Sequence, residues 1–133
     1  MTLIRLAIMS DVHIEFMPYE PQLGPEIDLV LLAGDIHSPG VRAVDWAVDL
    51  DVSSVLVMGN HEAYGCDLLA EQQRMREAAQ SSSCVFLENE VHVFRKEDRQ
   101  IRILGATLWT NFRLLGEAPM DMTVAKKKGR EQL

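Results

Sequence analysis

Three short polar motifs in this sequence each follow an apolar run. They are Asp11-Val12-His13, Gly34-Asp35-Ile36-His37 and Gly59-Asn60-His61-Glu62. Together they offer carboxylate oxygen, amide oxygen and imidazole nitrogen, a mixture that suits Mn²⁺, Fe²⁺ or Zn²⁺. Two such ions about 3.5–4 Å apart can bind the attacking and the leaving oxygen of an in-line displacement at phosphorus and ionise a water molecule between them. These residue types therefore suit a site for divalent metal ions.

The motifs are almost evenly spaced along the chain. There are 24 positions from Asp11 to Asp35 and 25 from Asp35 to Asn60. We predict one strand-helix-strand step in each interval, because parallel strands need a crossover connection of about this length. If the strands are parallel neighbours, the three motifs meet at the carboxyl edge of one sheet, where α/β proteins place their sites.

Hydrophobic runs predict the strands that must position these motifs. The run Val55-Leu56-Val57-Met58 ends at a glycine and is typical of a buried strand. Further strands are predicted over residues 4–9, 28–33 and 84–87, with a hairpin formed by 91–94 and 101–104. Residues 15–27 are predicted to form a loop, because prolines and a glycine interrupt any regular pattern there.

Two amphipathic helices are predicted between the strands. The first spans about residues 39–50, starts at Ser38-Pro39 with Ser38 as the cap, and includes Val48 in its apolar face. The second spans about residues 67–80, with Leu68, Leu69, Met75 and Ala79 facing inward and Glu71, Arg74, Arg76 and Glu77 in solvent. The predicted fold class is α/β, with parallel strands and crossover helices followed by an antiparallel hairpin.

Composition limits the organisation of the chain and its partners. The chain has 133 residues, 47% of them hydrophobic, which is enough for one compact domain. Its net charge of −7 argues against a nucleic-acid or anionic-membrane surface, and the lysines at 126–128 are interpreted as a solvated tail. The apolar residues 3–9 are too few for a signal peptide or a membrane span. Cys66 and Cys84 form no metal-binding pair and are expected to be reduced thiols, so a cytoplasmic location is expected.

The motifs resemble the signature of the calcineurin-like metallophosphoesterases, which reads D-x-H, then G-D, then G-N-H-[D/E]. The matching residues, in order, are Asp11, His13, Gly34, Asp35, Gly59, Asn60, His61 and Glu62. Residues 105–112 also look like a segment that bacterial members carry after their hairpin. The resemblance covers about residues 3–115 and implies the front part of that family's α/β sandwich.

By this resemblance, Asp11 and His13 would hold a first divalent ion, Asp35 would bridge two ions, and Asn60 would bind the second. His61 would lie near the leaving-group oxygen, as a proton donor or as a stabiliser of phosphoryl charge, and imidazole titrates in the right range for this. The implied catalytic residues are His61 and Asp35, the implied cofactors are two ions of Mn, Fe or Zn, and the implied substrate is a phosphorylated small molecule or other ester.

The sequence departs from the family pattern at two points. Members carry a later metal-binding histidine and a G-H-x-H motif, but the only histidine here after the three motifs is His92, in the predicted hairpin. Ser38 stands where many members have a second aspartate. Residues 1–115 are therefore expected to be the amino-terminal part of such a domain, ended by truncation, frameshift or a domain boundary, and 116–133 an irregular tail.

Other interpretations stay open at this point. The chain could be a catalytically inactive remnant, or an interaction module that needs a second chain to complete its site, with self-association through exposed strand edges. His37 could line the site or be a hydrogen-bonded loop residue. Glu62 is expected to support its loop rather than to bind metal, and His92 is expected to point to solvent. Trp46 and Trp109 are expected to pack against the core or its rim.

Overall fold

The structure is a computed structural model and describes residues 2–109. Its elements are β1 (Leu6–Met9), β2 (Leu29–Leu32), α1 (Gly40–Asp49), β3 (Ser54–Val57), a 3₁₀ turn (His61–Ala63), α2 (Leu68–Ala79), β4 (Cys84–Leu87), β5 (Glu90–Lys96) and β6 (Arg99–Gly105). Each strand and helix that was assigned to a residue range is present, with ends shifted by a few residues. The predicted tail of residues 116–133, its lysine run and the boundary at 115 lie outside the described residues.

The first four strands form one parallel sheet in the order β1-β2-β3-β4. Helix α1 connects β2 to β3, and α2 connects β3 to β4, while β5 and β6 pair as an antiparallel hairpin. The α/β fold class is therefore confirmed. Because β1, β2 and β3 are parallel neighbours, the residues that follow them lie at the same edge of the sheet.

The connection from β1 to β2 corrects one expectation. The even spacing of the motifs predicted a crossover helix there, but residues 10–28 contain none. Pro18, Pro21 and Pro25 remove backbone donors and restrict their neighbours, which disfavours a helix. The separate prediction of a loop over 15–27 is confirmed.

Both helices pack on one face of the sheet and build the main core. The sheet contributes Val30, Leu32, Leu56 and Phe86, and the helices contribute Ala43, Val44, Ala47 and Met75. Burying a leucine or valine side chain completely stabilises the fold by about 1.5–3 kcal/mol, so this layer holds the strand ends in register. Trp46 is half-buried against this core, as expected, and its ring N–H donates to the Tyr19 carbonyl at 3.3 Å.

The other face of the sheet is covered by the hairpin over β2, β3 and β4. Leu29, Val55 and Leu87 are buried there, and Phe94 packs against them from β5. His92 pairs with Ile103 and lies on the same side of β5 as Phe94, so it is half-buried rather than pointing to solvent. The expectation for His92 was wrong because the hairpin packs on the sheet through this side.

Leu68, Met75 and Ala79 of helix α2 pack on the core as predicted, but two other positions of the helix differ from the prediction. Leu69 is 72% exposed, whereas Glu71 is 0% exposed. Glu71 accepts hydrogen bonds from the Val41 backbone N–H at 2.9 Å and from Arg74 Nε at 2.8 Å. It therefore takes the place of the expected Ser38 cap, since α1 has no side-chain cap of its own. Among the described residues, none of the helices is long and apolar enough to cross a membrane.

Candidate metal centre

The first two motifs lie side by side because the pairing of β1 with β2 continues past both strands. The Asp11 N–H donates to the Gly34 carbonyl at 3.1 Å, and the His13 N–H donates to the Asp35 carbonyl at 3.1 Å. The next residue along, Ile14, donates to the Ile36 carbonyl at 3.0 Å. These backbone hydrogen bonds fix the two polar loops against each other.

Four residues of these loops have a left-handed backbone. The φ angles are +54° at Asp11, +50° at His13, +54° at Asp35 and +91° at Gly34. A non-glycine residue in this region carries a cost of about 1–2 kcal/mol, although Asp and His tolerate it better than most. Such strain persists where the surroundings determine the conformation, and it concentrates at functional sites.

The side chains of Asp11, His13 and Asp35 converge at this edge of the sheet. One ligand atom from each lies within 4.8 Å of the others. Ligand atoms around a single ion at about 2.0–2.2 Å are at most about 4.4 Å apart, so the spacing is close to that of a metal shell. Two carboxylates and an imidazole are also a donor set that a borderline divalent cation prefers. The residues present therefore fit a divalent metal ion.

The third motif reaches this group through a close approach of two glycines. A Cβ on Gly59 would lie 2.2 Å from Asp35 Oδ1, and a Cβ on Gly34 would lie 2.8 Å from the Gly59 nitrogen. With no side chain at Gly59, the His61 backbone N–H donates to Asp35 Oδ1 at 2.8 Å. The loop after β3 therefore contacts the Asp35 carboxylate directly.

Asn60 lies between Gly59 and His61, both of which lie against Asp35. Its amide nitrogen donates to the Tyr64 hydroxyl at 2.9 Å, which leaves the amide oxygen as the atom that could bind a metal. The motif pattern did not predict this role of Tyr64. The Tyr64 ring also lies against the His61 ring, with centroids 4.2 Å apart.

Glu62 joins the second loop to the third. Its carboxylate accepts four backbone N–H groups, from Gly59 at 2.8 Å, Asp35 at 3.0 Å, Ile36 at 2.7 Å and His37 at 3.4 Å. The side chain is completely buried. This agrees with the expectation that Glu62 supports its loop, but the sequence did not show that it also holds the loop that carries Asp35.

His37 was expected either to line the site or to be a hydrogen-bonded loop residue, and only its backbone is hydrogen-bonded among the described residues. Its backbone N–H donates to Glu62, but its Nδ1 is buried and makes no hydrogen bond within residues 2–109. The side chain is therefore not a hydrogen-bonded loop histidine through that nitrogen.

Glu15 is a site residue that the motif search missed. Its Oε1 lies 3.3 Å from His13 Nδ1 and 3.5 Å from His61 Nδ1, and its side chain is 13% exposed. The two histidine rings meet edge to face, with centroids 4.3 Å apart. Burial alone would raise the pKa of Glu15, but hydrogen bonds from its own backbone and from His13, together with the nearby imidazoles, lower it below its usual range. The only sequence signal was a glutamate two positions after His13.

The fold and the site define an α/β protein with an oxygen and nitrogen donor set at the carboxyl edge of a parallel sheet. The family model described as calcineurin-like phosphoesterase matches residues 4–112, which is 109 of the 133 residues. The chain therefore belongs to the calcineurin-like phosphoesterase family, and the resemblance of its motifs is confirmed. Neither the curated proteins nor the solved structures gave a significant match.

Proposed function

We propose that this chain hydrolyses phosphoric esters with the help of divalent metal ions. The observation that carries the proposal is the convergence of Asp11, His13 and Asp35 at one edge of the sheet in a chain of this family. When bound, the ions would activate water and neutralise charge that develops on the phosphoryl group. The protein groups would supply the position of the ions, the orientation of the substrate and a proton for the leaving group.

Each motif has a separate role in this proposal. Asp11 and His13 hold a first ion, Asp35 bridges to a second, and Asn60 binds the second through its amide oxygen. The hydrogen bond from the His61 N–H to Asp35 Oδ1 supports the bridging role, because it limits rotation of the carboxylate. The donor set fits two ions of Mn, Fe or Zn.

His61 is proposed as the group that protonates the leaving-group oxygen or stabilises phosphoryl charge. Its ring lies against the rings of His13 and Tyr64, and its backbone is held by Asp35, so its position is restricted from several sides. The substrate is proposed to be a phosphorylated small molecule or ester rather than a nucleic acid, since the net charge is −7. A cytoplasmic location is proposed because Cys66 and Cys84 form no metal-binding pair and are expected to be reduced thiols.

The later histidine motifs of the family pattern have no counterpart among the histidines of this sequence. The sequence holds four histidines, three of them in the motifs and the fourth, His92, in the hairpin. Residues 1–115 are proposed as the amino-terminal part of the family's domain, with 116–133 as a tail.

The test compares wild type with Asp35→Asn in a Mn²⁺-dependent assay on a chromogenic phosphate ester. The amide oxygen of asparagine can still accept the His61 N–H, so the variant removes the charge with little change in packing. Hydrolysis by the variant is expected to fall at least about 100-fold, as it does when a group that stabilises transition-state charge is lost. Asp49→Asn, exposed near the end of α1, is the matched control and should keep wild-type activity. Equal rates for wild type and Asp35→Asn would reject the proposal.

A second candidate function is an interaction module completed by another chain. The observation that favours it is the exposure of Leu6 (39%) and Ile8 (69%) on β1, an edge strand of the described sheet. Self-association through this edge predicts a dimer in sedimentation that Ile8→Lys converts to a monomer. Leu69→Lys, at an equally exposed apolar position on α2, should leave the dimer intact. A wild-type chain that is monomeric at all concentrations would reject self-association.

A further inference from the structure

Among the described residues, Glu62 and Glu71 are buried and Glu15 is nearly so, and the contacts of these three glutamates differ. Both oxygens of Glu62 accept backbone N–H groups, and Glu71 accepts a backbone N–H and an arginine. Glu15 Oε1 instead faces the Nδ1 atoms of two imidazole rings, at 3.3 Å and 3.5 Å. The other oxygen, Oε2, is buried and has no hydrogen-bond partner within the described residues. The backbone contacts that explain the burial of the other two do not explain that of Glu15.

The fold directs Glu15 toward the site. The His13 backbone has a φ of +50°, and the Phe16 N–H donates to the His13 carbonyl at 3.0 Å, which closes a turn over residues 13–16. This turn brings a side chain only two positions after His13 back to the Nδ1 atom of the His13 ring, 3.3 Å away. His61 reaches the same carboxylate from the loop after β3, so a single group contacts both histidines of the proposed centre.

We propose that Glu15 is a positioning residue that holds the rings of His13 and His61 with their Nδ1–H groups toward its carboxylate. This inference rests on the proposed function, since it assigns Glu15 a part in the same site. A carboxylate oxygen has two lone pairs and can accept both N–H groups at once. Fixing one proton on Nδ1 leaves Nε2 of each ring free. In His13 this nitrogen would bind the metal, and in His61 it would face the substrate, where it donates a proton only when the ring carries a second proton.

The chemistry follows a general rule for metal-binding histidines. Such a histidine usually donates its second ring N–H to a carboxylate or carbonyl, which sets the tautomer and makes the ring a better ligand. Here the same carboxylate serves a second ring that is proposed to meet the substrate. Loss of Glu15 should therefore affect metal binding and turnover through two different residues.

The decisive experiment reads the histidine tautomers directly. Long-range ¹H–¹⁵N spectra of the metal-free protein at pH 8, where an ordinary imidazole is neutral, distinguish a proton on Nδ1 from one on Nε2. Wild type should carry the proton on Nδ1 in both His13 and His61. Glu15→Ala should abolish this preference at both, while Glu15→Gln, whose amide oxygen still accepts, should retain it. His92, which is remote in the hairpin, should be unchanged in every variant.

A second measurement connects the tautomers to the metal. Titration with Mn²⁺ alone should show binding weakened by about 10–100-fold in Glu15→Ala and by less in Glu15→Gln. Glu20→Gln, an exposed change in the same loop, is the matched control and should bind as wild type does. Thermal unfolding of each variant shows whether it is folded, and Glu15→Gln keeps the inference testable if Glu15→Ala does not fold.

These readouts separate failure of the inference from failure of the proposed function. An Nε2–H tautomer at His13 and His61 in wild type, or tautomers that Glu15→Ala leaves unchanged, would overturn the inference even if the chain hydrolyses esters. Nδ1–H tautomers that depend on Glu15 would support it even if no ester is hydrolysed.

Discussion

At the scale of single residues, Glu62 connects two loops of the site through four backbone hydrogen bonds. It is the fourth residue of the Gly59–Glu62 motif, yet three of its four backbone partners belong to the other loop, at Asp35, Ile36 and His37. A buried carboxylate is stable only when such donors surround it. The Glu62 carboxylate therefore needs both loops in place. Each loop in turn needs the carboxylate as the acceptor for its buried N–H groups.

Replacing Glu62 with alanine should destabilise the protein by at least about 3 kcal/mol, because several buried N–H groups would lose their acceptor. Urea unfolding followed by circular dichroism measures this change. Glu77→Ala, an exposed change on α2, should cost no more than about 0.5 kcal/mol and serves as the control. A Glu62→Ala protein as stable as the control would show that water replaces the carboxylate.

At the scale of elements, Asp28 ties the hairpin to the edge of the sheet. Its Oδ1 pairs with Lys96 Nζ at 2.6 Å, and its Oδ2 accepts the Arg5 N–H at 2.8 Å. Lys96 also donates to the Leu3 carbonyl at 3.1 Å, so one end of β5 is fixed to the segment before β1. The hydrogen bond from Lys96, then that from Arg5, lowers the pKa of Asp28 below its ordinary value.

This contact should make the role of Asp28 depend on pH. A carboxyl group whose pKa is lower in the folded state stabilises the fold above its ordinary value of about 3.8, and the contribution is lost as the pH falls through the folded value. Asp28→Asn should therefore lower the urea midpoint at pH 7, and the difference from wild type should shrink steadily below about pH 4. Asp98→Asn, in the exposed turn of the hairpin, should show no such trend. A constant difference down to pH 2 would contradict the assignment.

The order and type of the elements could be predicted from the sequence, but their contacts could not. Apolar runs such as Val55–Met58 identify strands because burial on both faces selects such residues. On α2, Glu71 was assigned to solvent wrongly because it is buried through its contact with α1, and no local pattern records that contact. The site shows the same division: the motifs identified Asp35 and its neighbours, whereas Glu15 approaches His61 only once the strands have paired.

At the scale of the whole molecule, the sheet separates two apolar layers. Cys84 is 1% exposed in the layer under the helices, paired across the sheet with Ser54 of β3. Burial raises the pKa of the Cys84 thiol, which reduces its reactive thiolate form. Cys66, between the third motif and α2, is only partly buried. The two thiols therefore report on different parts of the fold.

Cys84 should react with a thiol reagent only when the core opens. In native protein, Cys84 is expected to react at least about 1,000-fold more slowly than Cys66, since core positions open with free energies close to that of global unfolding. Labelling followed by mass spectrometry measures both rates. Cys66→Ser isolates the slow thiol, and in a chain destabilised by Glu62→Ala the Cys84 rate should rise. Rapid labelling of Cys84 in the wild-type chain would mean that β4 is not held in the core.

The left-handed backbone at Asp11, His13 and Asp35 implies a conflict between stability and function. A chain optimised only for folding would carry glycine at these three positions, since glycine adopts such angles without steric cost. Glycine provides no side chain to bind a cation. A library screened for thermal resistance alone should therefore drift away from the proposed ligands, whereas one screened for ion capture should retain them and accept a less durable fold.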